Sequence, residues 1–214
     1  MTAPVDLPPT LVSGLVRAAA AIDPDGELPA AARGRLHVLL DAAAGSHPDA
    51  GRHVRARLAI ASAYGSFPQL STAPELRDEA EHLAVAAAAA LRGELGTTTL
   101  EAMRDAAVAR ATGLLGAVDP RAVHALLACA AAVSTVLDDP PLDDLAVSEK
   151  EADPADWEAC FYASLAWTGG ATWEGVHEPL VRGRFWEWYL LVAVPFAWDA
   201  DAPLVPYPTE LPFA

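Results

Sequence analysis

Lysine occurs once in this chain, at Lys150, beside 13 arginines and against 29 acidic residues. The formal net charge is −15 at pH 7. So little basic charge argues against nucleic acid or an anionic membrane as a partner, because both are held by basic surface. The same negative field speeds encounter with a basic protein and suppresses encounter with an acidic one. It also keeps an alanine-rich chain in solution, and the two roles are compatible.

Cysteine is nearly as scarce. Cys129 and Cys160 are too few for a disulfide scaffold or a metal knot, and both fall at apolar helical positions. They are expected to be free core residues. Met1 to Leu11 has neither a basic n-region nor an apolar h-region, so no signal peptide is legible and a cytoplasmic location is expected. The longest nearly uncharged apolar run, Ala122 to Leu137, is short of the ~20 residues that span a bilayer and reads as a buried helix. There is no glycine-rich phosphate loop, serine elbow or recognisable Cys–His pair.

Alanine fills the gap, at roughly a fifth of the chain. It is the strongest helix former and lets helices approach closely. A hydrophobic fraction of 53% is ample for a core, and 214 residues suit one large domain. No stretch shows sustained period-two alternation. Helices are expected from Pro9 to Ile22, Pro29 to Gly45, and from Pro48 to about Gly65, with Arg52, Arg55 and Arg57 mostly away from the apolar face. Thr72-x-x-Glu75 and Thr98-x-x-Glu101 read as capping boxes for the next two. Asp119-Pro120 opens a helix ending at Leu137, Asp153-Pro154 opens one that Gly169-Gly170 ends, and Glu178-Pro179 opens one that Pro195 ends. The expected fold is all-α: a single multihelical bundle of about eight helices, residues 1–214 forming one domain. An acidic connecting segment covers residues 138–153, and an extended proline-rich tail covers 196–214, with Leu204, Tyr207 and Phe213 free to pack on the bundle.

Two helical clusters invite a metal. Glu79-x-x-His82 has the spacing of half a carboxylate-bridged di-iron site, but no second half is present. Glu75, Asp78, Glu79 and Glu81 suggest a magnesium-dependent nucleotide hydrolase, but no facing carboxylate pair is apparent. A solvated face and ordinary first-turn acids explain both. Neither a cofactor, a metal nor catalysis is expected.

Near the C-terminus, Val181, Phe185, Trp188, Tyr189 and Val192 form one helical stripe and Trp186, Leu190 and Val194 another. Such a helix belongs at the centre of a bundle. Arg184 is placed to pair with Glu187, and Arg182 to stack on Trp186. Three features in this order carry a resemblance: Trp157 with Phe161 to Ala166; Gly169 and Gly170 with Trp173; and Arg184, Phe185, Trp186, Glu187, Trp188, Tyr189 and Leu190 running on to Pro195. Together they resemble the C-terminal half of an all-α family of immunity proteins from bacterial polymorphic toxin systems. The resemblance implies a non-enzymatic role, binding a cognate toxin domain and blocking its active site. The residues leave open a helical scaffold or adaptor, or a metal-dependent enzyme on the Glu75 to His82 face. If the partner is a toxin that acts on nucleic acid or nucleotides, its basic surface is expected to meet Asp143, Asp144, Glu149, Glu151 and Asp153.

Overall fold

The computed structural model describes residues 5–45, 49–138 and 148–204. Among these residues there are nine α-helices and no strand. In chain order they are α1 (Pro9–Ala19), α2 (Ala30–Ala43), α3 (Ala50–Gly65), α4 (Pro74–Leu91), α5 (Thr97–Leu114), α6 (Pro120–Leu137), α7 (Ala159–Thr168), α8 (Pro179–Trp188) and α9 (Val194–Trp198). A 3₁₀ segment, Phe67–Thr72, joins α3 to α4.

The centre is α6. Its small side chains, among them Ala122, Ala125, Cys129 and Ala132, are fully buried and let α3, α4, α5 and α7 pack around it. By length and composition this helix could cross a membrane; in the structure it is where four others meet. At the rim, α5 buries only Leu100, Ala107 and Ala111. One hydrophobic cluster runs from Leu11 of α1 to Ala197 of α9.

Some sequence punctuation works as read. Asp119 accepts a hydrogen bond from the Arg121 backbone N–H at 3.0 Å and caps α6. Gly169, with φ of 88°, ends α7 in the left-handed region that glycine adopts without strain. Other signals fail for local reasons. Thr72 is taken up in the 3₁₀ segment, so the cap of α4 falls at Ala73 and no side chain fills it. Likewise α5 starts two residues early, after Gly96, which puts Thr98 inside the helix. Asp153 does accept from the Ala155 N–H, but the chain makes only a 3₁₀ turn, Pro154–Asp156, before α7 begins at Ala159. The Tyr162 hydroxyl donates to the Pro154 carbonyl at 2.7 Å and folds that turn back over the helix start.

Pro195 does not end the last helix. Tyr189–Ala193 is a π-helical turn, and α9 then carries Pro195 in its own first turn. A proline inside an α-helix clashes with the carbonyl four residues back and leaves it without a donor. The wider turn over residues 189–193 removes that α-type pairing, so the proline is accommodated. The tail expected from residue 196 is therefore helical to Trp198, and Leu204 packs on the core as expected. Tyr207 and Phe213 lie outside the described residues, as does Pro48.

The arginines of α3 also depart from expectation. Arg55 and Arg57 are buried because nearly every face of α3 from residue 55 onward is covered. Arg52 donates to the carbonyls of Val136 and Leu137 at 2.9 and 3.2 Å, capping the end of α6. Arg57 donates to the carbonyls of Ala197, Asp199 and Ala202 at 3.0, 2.5 and 3.0 Å, gathering the end of α9. Arg55 reaches Asp41 of α2 at 2.5 Å. Helix C-termini leave carbonyls without partners, and a guanidinium with five donors can satisfy several at once.

Candidate functional site

Arg33, on α2, is 1% exposed and sits at the hub of a buried ionic cluster. Its Nε donates to Glu158 Oε2 at 2.6 Å, and its other nitrogens meet Glu149, Glu27 at 3.9 Å, and the Leu28 carbonyl. Below it lie Trp186, 5.2 Å from ring centre to guanidinium carbon, and Phe161 at 5.6 Å. Arg182, fully buried, pairs with Glu27 at 2.8 Å and donates to the Gly170 carbonyl, also at 2.8 Å, capping α7. So Arg33, not Arg182, stands over Trp186. Arg184 and Glu187 are both exposed and form no ion pair among the described residues: α8 is clamped to α2 and α7 from inside, while its outer face stays in solvent.

The cluster's charge states follow from its geometry. Burial raises the Glu27 carboxyl above its ordinary value despite the pull of Arg33 and Arg182. Burial also opposes ionisation of Glu158, but Arg33 and then His37 outweigh it and hold that carboxyl below its ordinary value. His37 Nδ1 is 3.4 Å from Glu158, and its Nε2 shares a hydrogen bond with the Tyr189 hydroxyl at 3.2 Å. Cys160 lies against Glu158, with Sγ 3.8 Å from Oε2. A cysteine, a histidine and a carboxylate this close invite comparison with a nucleophilic site. Burial, and then Glu158, push the Cys160 thiol well above its ordinary value, the opposite of what a thiolate nucleophile needs. The adjoining cavity, about 40 Å³, has room for a water and not for a substrate.

The acidic segment divides. Asp143 and Asp144 lie outside the described residues. Glu149, expected on the solvent side, is turned inward onto Arg33, because a fully buried guanidinium needs carboxylates around it. Glu151 and Asp153 are exposed. The segment is pinned by Trp157, whose Nε1 donates to the Glu149 carbonyl at 2.9 Å and whose ring stands edge-on to Phe161 at 5.1 Å. Of the residues carrying the resemblance, Phe185, Trp186, Trp188 and Tyr189 are buried.

The metal candidates separate too. Glu79 pairs with Arg110 of α5 at 2.9 Å, His82 is exposed, and no group of three or more metal-capable side chains forms among the described residues. A comparison with curated proteins finds no match. The model of the family described as immunity protein Imm5 matches residues 21–196. The chain belongs to the Imm5 immunity protein family.

In this member of the Imm5 family the match spans α2 to α8, the elements that hold the Arg33 cluster. Sequence reading missed that cluster. Glu149 and Glu158 are remote from Arg33 in sequence, and each of the three alone looks like an ordinary surface residue. The near absence of lysine was the available signal, since thirteen arginines to one lysine suits a protein that uses guanidinium groups as multidentate internal donors.

Proposed function

We propose that this chain neutralises a cognate bacterial toxin by binding it, without catalysis of its own, and that the toxin presents a basic surface. The family match carries this reading. The charge distribution supports the rest of it. Arg33, Arg55, Arg57 and Arg182 are drawn into the interior, which takes basic charge off a surface that already lacks it. Glu151 and Asp153, both exposed, with Asp143 and Asp144 nearby in sequence, supply the acidic contact; Glu149 serves it indirectly by anchoring the segment to Arg33.

Rim charges of this kind raise the association rate, while packed contacts set dissociation. A toxin gene is expected beside the gene for this chain. Association of that toxin domain with Asp143→Lys/Asp144→Lys/Glu151→Lys should be slower than with wild type by about tenfold or more at low salt, and the gap should close as salt screens the field. The helical spectrum should not change. Equal association rates at low ionic strength would reduce the segment to a linker.

A further inference from the structure

Among the described residues Trp173 is the only large aromatic side chain left exposed. It sits in a 3₁₀ turn, Thr172–Glu174, between α7 and α8. One face of its indole stacks on Phe161, with centroids 5.8 Å apart and planes 18° from parallel, and its edge meets Trp157 at 6.1 Å. The turn is fixed at both ends. Glu174 Oε2 accepts from the Ala171 N–H at 2.8 Å, and Gly169 and Gly175 supply left-handed φ angles of 88° and 83°. The indole is thus held in one orientation before anything binds, which lowers the ordering cost of a contact.

The two segments beside it are acidic, and one arginine, Arg121 of α6, stands at the start of the turn, its Nε 3.6 Å from where a Cβ on Gly169 would lie. The two segments that meet at the Trp157–Trp173 contact, 148–158 and 171–180, expose Glu151, Asp153, Asp156, Glu174 and Glu178. Their only basic side chains are Lys150 and His177, and His177 lies 3.8 Å from Asp25. A cation is attracted to the face of an indole and by carboxylates around it, and tryptophan is enriched among the few residues that dominate interface energy. We propose that Trp173, with Glu174 in its own turn and joined through Trp157 to the segment that exposes Glu151, Asp153 and Asp156, is the anchor at which a basic protein docks, with an arginine or lysine of that protein over the free side of the indole. This rests on the immunity reading and names its contact point. The acidic segment guides approach; Trp173 holds the bound partner.

The test is calorimetric titration of the toxin domain encoded beside this chain into wild type, Trp173→Ala, Trp173→Phe and Asp156→Lys, each with a melting curve. Trp173→Ala should weaken binding at least about tenfold, with most of the loss persisting at high salt. Trp173→Phe keeps a ring over Phe161 and should melt like wild type while binding several-fold more weakly, since phenylalanine is a poorer cation acceptor. Asp156→Lys should weaken binding at low salt and less at high salt. If Trp173→Ala does not fold, the other two variants decide. Folded Trp173 variants that bind as tightly as a wild type that itself binds would overturn the anchor and leave the immunity reading standing. A wild type that does not bind the toxin would overturn that reading and the anchor with it.

Discussion

Arg33→Met is expected to lower the unfolding free energy by about 3–5 kcal/mol at neutral pH, a large share of the ~5–15 kcal/mol of an ordinary domain. The side chain volumes are similar, so little of this is packing. The loss arises because Glu158 and Glu149 remain inside the protein without the guanidinium that meets them. Removing one partner of a buried ion pair is far costlier than never having had the pair. The pH dependence gives a second signature. Glu158 is held below its ordinary value of 4.5 in the folded protein, so it contributes stability above that pH and loses the contribution as pH falls through the depressed value. The gap between wild type and Arg33→Met, followed by chemical denaturation, should therefore narrow below pH 4.5. A gap that is small at pH 7, or that widens in acid, contradicts this account of the cluster.

Trp188→Ala is expected to cost about 3–5 kcal/mol as well, by a different route, because truncating a buried aromatic leaves a cavity that the surroundings fill only in part. Trp188 is 6% exposed and packs 5.7 Å from Phe185. Its six-membered ring lies so close to Gly65 of α3 that a Cβ added there would sit 2.4 Å from it. Melting temperature and soluble yield should both fall, and this loss should be nearly independent of pH, unlike that of Arg33→Met. A Trp188→Ala protein that melts like wild type yet no longer binds a toxin would make the segment an interface.

These two residues mark where the sequence is legible. Trp188 lies on an apolar stripe with Phe185 and Tyr189, and that stripe is buried, as a local pattern of that kind implies. The opposite face of α8, with Leu180, Arg184 and Glu187, stays in solvent, so the helix is not the centre of the bundle. Local pattern also serves for α6, whose Asp119-Pro120 cap and alanine-rich run predict its bounds at both ends. Arg33 is different. Its partners lie on the loop before α2 and 116 and 125 residues further on, and no periodicity links positions that only the folded chain brings together. The same limit explains Arg52 and Arg57, which look solvated until the ends of α6 and α9 arrive beside them. Pro195 shows a third case: the rule that proline ends a helix is sound, but a π-turn over Tyr189–Ala193, with Tyr189, Leu190 and Ala193 buried, comes before it and lets the helix run on, which no local pattern in the sequence announces. In the candidate site, Glu151 and Asp153 are exposed as read, whereas Glu149 differs from them only in being needed by Arg33.

This member of the Imm5 family is proposed to disarm a toxin by occupying it. The most direct test is a titration, with the purified protein, of the catalytic activity of the toxin domain expected to be encoded beside this chain. Toxin activity should fall linearly and reach background at one equivalent, with the complex isolated at equal stoichiometry. Undiminished toxin activity in the presence of a large molar excess of folded protein would contradict it.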